Sequence, residues 1–182
     1  MKQIILITAF FAVSFSPLRA DETRQHDAHE HGAAQLGIVQ EGKLIQIELD
    51  TPAFNILGFE HAPSNANEQL VLTNAVTQLK NGAKLFRFSA KAQCRFDSVD
   101  IHSGLLDESN QKDHDHAHEE ESTHADFEAT WTFNCESPSR LTAIEFPLFS
   151  FFKLLTDLDV DYIVDAGQGS VELSPSSTVI SF

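Results

Sequence analysis

The chain has 182 residues, with 12 Lys+Arg against 27 Asp+Glu, a formal charge of −15, 42% hydrophobic residues and two cysteines. That acidity argues against nucleic-acid or anionic-membrane partners, whose phosphates reward clustered Lys and Arg, and points instead to cations. Fifteen Phe, together with many Leu, Ile and Val, provide apolar area for a core, so composition does not make the chain disordered.

Met1-Lys2, the apolar run Ile4 to Phe15 and the breaker region Ser16-Pro17-Leu18-Arg19-Ala20 read as a cleavable secretory signal over residues 1–20. The run is too short to cross a bilayer core of about 30 Å, and no later stretch approaches the necessary length, so no membrane span is expected after cleavage. Residues 21–182 are expected to form a single exported domain. Two cysteines in an oxidising compartment are then most simply a disulfide, Cys94 with Cys135.

A short polar arm, residues 21–32, precedes the first elements. Ala34, Leu36 and Ile38, then Ile45, Ile47 and Leu49, alternate with polar residues on either side of Glu41-Gly42, which predicts a β-hairpin. Thr51-Pro52 predicts an N-cap and first-turn proline for a short helix to Leu57. Leu72, Ala75, Val76 and Leu79 recur at helical spacing, so residues 65–80 form the longest predicted helix, stopped by Asn81-Gly82. Residues 85–90 and 93–102 read as strands.

Residues 107–124 contain Asp113-His114-Asp115-His116-Ala117-His118-Glu119-Glu120-Glu121, too polar to offset its ordering entropy, and are expected to be a mobile His-rich loop. Phe127, Ala129, Trp131 and Phe133 then alternate as the clearest strand, with residues 140–146 as its expected hairpin partner. Residues 149–155 read as a short helix, and 161–165, 170–174 and 178–182 as closing strands. The order of His31, hairpin, short helix is echoed by His124, hairpin, short helix, which suggests a weak internal pseudo-repeat. The expected class is α+β: an antiparallel sheet with one longer and two short helices, interrupted by the His-rich loop.

Nine histidines are unevenly placed. His26, His29 and His31 cluster before the first hairpin, and His114, His116, His118 and His124 lie in and after the loop. Imidazole is a favoured ligand for Zn²⁺, Cu²⁺ and Ni²⁺, and carboxylates complete such sites. In an extended chain, residues two apart share a side, so His29 with His31, and His114 with His116 and His118, suit chelation. A mobile tract suits capture, whereas a tighter site needs ligands fixed by the fold. The candidates for the tighter site are His29, His31, Glu60, His61, His102 and His124. Asp157, Asp159 and Asp161 lack the glycine and bidentate glutamate of an EF-hand and read as a solvated strand entrance. No His-Glu-x-x-His, Gly-x-Ser-x-Gly or phosphate-loop pattern occurs, so a non-enzymatic role is expected. The alternatives are a zinc-dependent hydrolase with Glu60 as base, or an envelope-interaction protein that binds no metal.

His29-Glu30-His31-Gly32, the stretch Thr51-Pro52-Ala53-Phe54-Asn55-Ile56-Leu57-Gly58-Phe59-Glu60-His61-Ala62-Pro63, and His124-Ala125-Asp126-Phe127-Glu128 running to Cys135 resemble the ZrgA-type periplasmic proteins. The resemblance implies a zinc-binding accessory of the Gram-negative periplasm that takes up Zn²⁺ and assists delivery to a high-affinity importer component. It does not fix a ligand set.

Overall fold

In a computed structural model of the chain, residues 30–106 and 125–182 are described. The predicted hairpin forms from β1 (Ala33–Glu41) and β2 (Leu44–Pro52), paired antiparallel with Leu36 opposite Leu49 and Ile38 opposite Ile47. Period-two patterning sets the register: the apolar residues of both strands are buried and the polar ones face outward. β4 (Cys94–His102) and β5 (Asp126–Cys135) pair antiparallel with a register shift between Phe96 and Ser98. β5 also runs antiparallel to β2. β7 (Asp157–Val164) and β8 (Gly167–Leu173) form a second hairpin. The six-stranded sheet has the order β4-β5-β2-β1-β7-β8.

Two corrections to the predicted topology follow. β7 lies parallel to β1, so the sheet is mixed rather than antiparallel. Residues 140–146 do not pair with β5: β6 (Ala143–Glu145) pairs with β3 (Arg87–Phe88) and β9 (Val179–Ser181) in a separate three-stranded sheet. The edges of β5 are already taken by β2 and β4, which leaves no place for it. The second hairpin of the suggested repeat is therefore absent, and the His124 that opened it lies outside the described residues. The class is α+β, with strands predominating.

The four α-helices among the described residues are α1 (Ala53–Leu57), α2 (Ala66–Leu79), α3 (Gly82–Leu85) and α4 (Leu148–Phe151). Asn65 caps α2, its side-chain oxygen accepting from the amides of Asn67 and Glu68 at 3.0 Å each. The carboxylate of Glu68 returns to the Ser64 amide at 2.7 Å and hydroxyl at 2.8 Å. Asn81-Gly82 is not a simple stop, because the chain turns there straight into α3, and the strand expected over residues 85–90 is confined to Arg87–Phe88.

One face of the large sheet carries the core. Trp131, Phe127 and Phe133 from β5 are buried with Phe86 and Phe146, and the Phe86 ring meets those of Trp131 (4.9 Å), Phe133 (6.0 Å) and Phe146 (5.8 Å) edge to face. The Trp131 indole donates to the Leu79 carbonyl at 2.7 Å, pinning the end of α2 to β5. Cys94 and Cys135 sit opposite one another and form the expected disulfide. On the other face the same strands expose polar residues, Glu48, Asp50, Glu128, Asp159 and Asp161 among them. No helix among the described residues is long and apolar enough to cross a membrane.

Candidate metal site

The stretch from Thr51 to Glu60 folds into a frame around His31. Thr51 was expected to cap α1 but does not. Pro52 occupies that position with no side-chain cap, and the buried Thr51 hydroxyl accepts instead from the Asn55 amide at 3.0 Å. Asn55 is itself 1% exposed. Its Oδ1 accepts from the Gly32 amide at 2.6 Å, and its Nδ2 donates to the Ala33 carbonyl at 2.7 Å. One side chain thus fixes the backbone on the C-terminal side of His31.

Gly32 has φ +96°, and a Cβ there would stand 2.8 Å from Thr156 Oγ1, so both conformation and space call for glycine. Its carbonyl accepts from the amides of Thr156 (2.8 Å) and Asp157 (2.9 Å) at the start of β7. Gly58, at φ +85°, ends α1 in the left-handed conformation and donates its amide to the Phe54 carbonyl at 2.8 Å. The reversal brings Glu60 back to His31.

The His31 imidazole stacks on Phe54, with ring centroids 4.0 Å apart and 12° between planes. Its Nε2 is 3.1 Å from Glu60 Oε1, with side-chain exposures of 50% and 13%. This pair has the dimensions of a zinc chelate. Ligand bonds near 2.05 Å at a tetrahedral angle hold two donor atoms about 3.3 Å apart, so zinc can replace the shared proton with only a small adjustment. A half-exposed ring beside a shielded carboxylate leaves the remaining coordination positions open to solvent or to further ligands.

His61 follows directly but points elsewhere. Its Nδ1 is 2.9 Å from the Ala62 carbonyl and 4.0 Å from Glu68 Oε2, and its ring stacks on Phe59 at 5.2 Å. A carbonyl only accepts, so Nδ1 is the donor in this contact and Nε2 is the nitrogen left to face a metal. Glu68 is held below the usual carboxylate range, first by the Ser64 amide and next by the Ser64 hydroxyl, with the His61 imidazole a lesser contributor.

His102 lies on the open face of β4, its Nε2 3.1 Å from Asp100 Oδ2. Two strands separate β4 from β1, which at about 4.8 Å per strand places it some 14 Å sideways from the β1 backbone. It therefore does not join His31 and Glu60. His26, His29, His114, His116, His118 and His124 lie outside the described residues. Among the described residues, the group whose donor atoms all approach within 4.8 Å is Asp157, Asp159 and Glu172, an acidic set that includes neither His31 nor His61.

Of the expected ligands, then, the structure brings together His31 and Glu60, sets His61 apart on the next residue and leaves His102 with Asp100. Sequence reasoning missed Phe54, Asn55, Gly32 and Gly58 as the parts that hold His31. An asparagine four residues after a threonine, inside an otherwise apolar turn, was the available signal.

No curated protein matches the chain. The family model described as ZrgA family zinc uptake protein matches residues 28–182, a span that contains the whole frame around His31 and Glu60. The chain belongs to the ZrgA family of zinc uptake proteins.

Proposed function

We propose that the protein is exported to the periplasm, captures Zn²⁺ there without catalysis, and passes it towards the solute-binding component of a high-affinity importer. Membership of a zinc uptake family supports the metal. The observation that carries the reading is the His31 Nε2 to Glu60 Oε1 spacing of 3.1 Å within a frame built from Phe54, Asn55 and two positive-φ glycines. A pair already held at nearly chelate distance binds without the ordering cost that a mobile tract bears. In this reading His31 and Glu60 anchor the retained ion, and His29, His61 and His124 supply further ligands. His26 and the His114, His116 and His118 tract collect ions at lower affinity. Zinc is cargo here, so incomplete protein coordination suits ligand exchange with a receiving protein.

Calorimetric titration of residues 21–182 with Zn²⁺ at neutral pH tests this. The expected result is one tight site that is lost in His31→Ala, weakened in Glu60→Gln and kept when residues 110–122 are deleted, the deletion lowering stoichiometry only. Absence of Zn²⁺ uptake by the wild type, or a tight site unaffected by His31→Ala, would refute it.

A further inference from the structure

The open face of the large sheet is strongly and unevenly charged. In register across it, one row reads His102, Glu128, Asp50, Gln35, Asp159, Glu172, and the next reads Asp100, Thr130, Glu48, Gly37, Asp161, Ser170. Neither row contains Lys or Arg. Arg95, at the far end of β4, is paired with Glu136 at 3.1 Å. Asp50 stands directly opposite Glu128, and Asp159 directly opposite Glu172. Like charges directly across an antiparallel pair destabilise a sheet, so this arrangement works against folding of the isolated chain.

A third row, beyond the second, adds an apolar patch, with the exposed Glu41 and Asp165 past it at the strand ends. Val39 and Ile163 are neighbours across β1 and β7 and remain 48% and 59% exposed. Beside them Gly37 leaves open space where a side chain would stand. The result is a depression of about 400 Å³ lined by Gly37, Val39, Asp161, Ile163 and Gln168. An apolar notch bordered by charge is the anatomy of a protein contact, with a desolvated centre and a polar rim.

We infer that this face docks a protein surface on which Lys and Arg side chains surround one protruding apolar residue, and that the surface belongs to the protein receiving the zinc. The second clause rests on the function proposed above. A second copy of this chain would set acid against acid, and nucleic acid or an anionic membrane would be repelled, so charge selects a basic protein surface. Six strands about 4.8 Å apart and three rows about 6.8 Å apart span roughly 24 by 14 Å, the footprint of a transient contact. Brief docking is what handing over an ion requires.

The test uses residues 21–182 and, as probe, the purified solute-binding protein of the same cell's high-affinity zinc importer, with association read by surface plasmon resonance. In the triple variant Glu48→Gln, Asp50→Asn, Asp161→Asn the Kd should rise about tenfold or more. The wild-type complex should also weaken as salt is raised from about 50 to about 200 mM. The variant relieves repulsion, so it should melt no lower than the wild type, which separates lost docking from lost folding. Ile163→Ser should weaken the complex without changing its salt dependence. Association equal to wild type in the triple variant, or no wild-type association at the lower salt, would overturn the inference. Zinc titration of the same proteins reads the metal proposal separately: salt-sensitive docking by a chain that takes up no zinc would support this surface while removing that proposal.

Discussion

Replacing Asn55 by alanine should disturb both the stability of the protein and its hold on zinc, by amounts that follow from its contacts. The side chain makes three hydrogen bonds, two of them buried, to the Gly32 amide and the Thr51 hydroxyl, and one half-buried, to the Ala33 carbonyl. At about 1 kcal/mol net for each, Asn55→Ala should cost about 3 kcal/mol, a fall in Tm of about 6–12 °C for a chain of this size. The second effect is local. Freeing one backbone residue and one imidazole transfers about 2 kcal/mol of ordering to the binding step, which weakens the tight Zn²⁺ site about 30-fold. Thermal melting by circular dichroism and calorimetric titration measure the two effects on the same samples. Asn55→Asp retains an acceptor for the Gly32 amide but loses both donated bonds, and should fall between wild type and alanine. A folded Asn55→Ala protein that melts within about 2 °C of wild type and binds zinc with unchanged Kd would refute the reasoning.

Gly32→Ala should lower Tm and weaken zinc binding together, since it combines a φ of +96° with a contact at 2.8 Å to Thr156 Oγ1; threonine at 156 replaced by serine should not restore it, because the hydroxyl remains. Removal of the Cys94–Cys135 disulfide, which closes a separation of 41 residues, should cost about 4 kcal/mol in denaturant unfolding compared with and without reductant. Glu68 has a folded pKa below its unfolded one, so its stabilising effect is complete above about pH 4.3 and fades as pH falls through the lower, folded value. The stability difference between wild type and Glu68→Gln should accordingly stay constant from about pH 5 to 7 and shrink in more acid solution.

Elements built on local periodicity were legible in the sequence. The first hairpin, α2 and β5 each bury one regularly spaced set of apolar residues, and that spacing sets their type and facing. Pairings between distant strands were not legible. β6 is three residues long, too short for a period to show, and its partners β3 and β9 lie far away in the chain. The parallel contact of β1 with β7 leaves no mark on either strand, since alternation is the same for both directions of pairing. At the candidate site, residue chemistry singled out His31 and Glu60, and the structure places their side chains 3.1 Å apart. Their meeting depends on the Gly58 reversal and the Asn55 clamp, and the spacing of Asn55 from Thr51 marks a polar residue in an apolar turn without naming the partners it clamps. His61 was grouped with them as a residue that follows the first short helix, and its Nδ1 lies 2.9 Å from the Ala62 carbonyl.

The Gly32 carbonyl receives amides from Thr156 and Asp157, and the Thr156 hydroxyl reaches it across a separation of 124 residues. A nascent polypeptide that has emerged only through β5 already contains His31, Phe54, Asn55 and Glu60, yet lacks the two amides that hold the Gly32 carbonyl. The frame around His31 is therefore completed late, once β7 has joined β1 in the sheet. If His31 and Glu60 hold the ion as proposed, a C-terminal truncation before residue 156 should weaken that hold while leaving both residues in the chain.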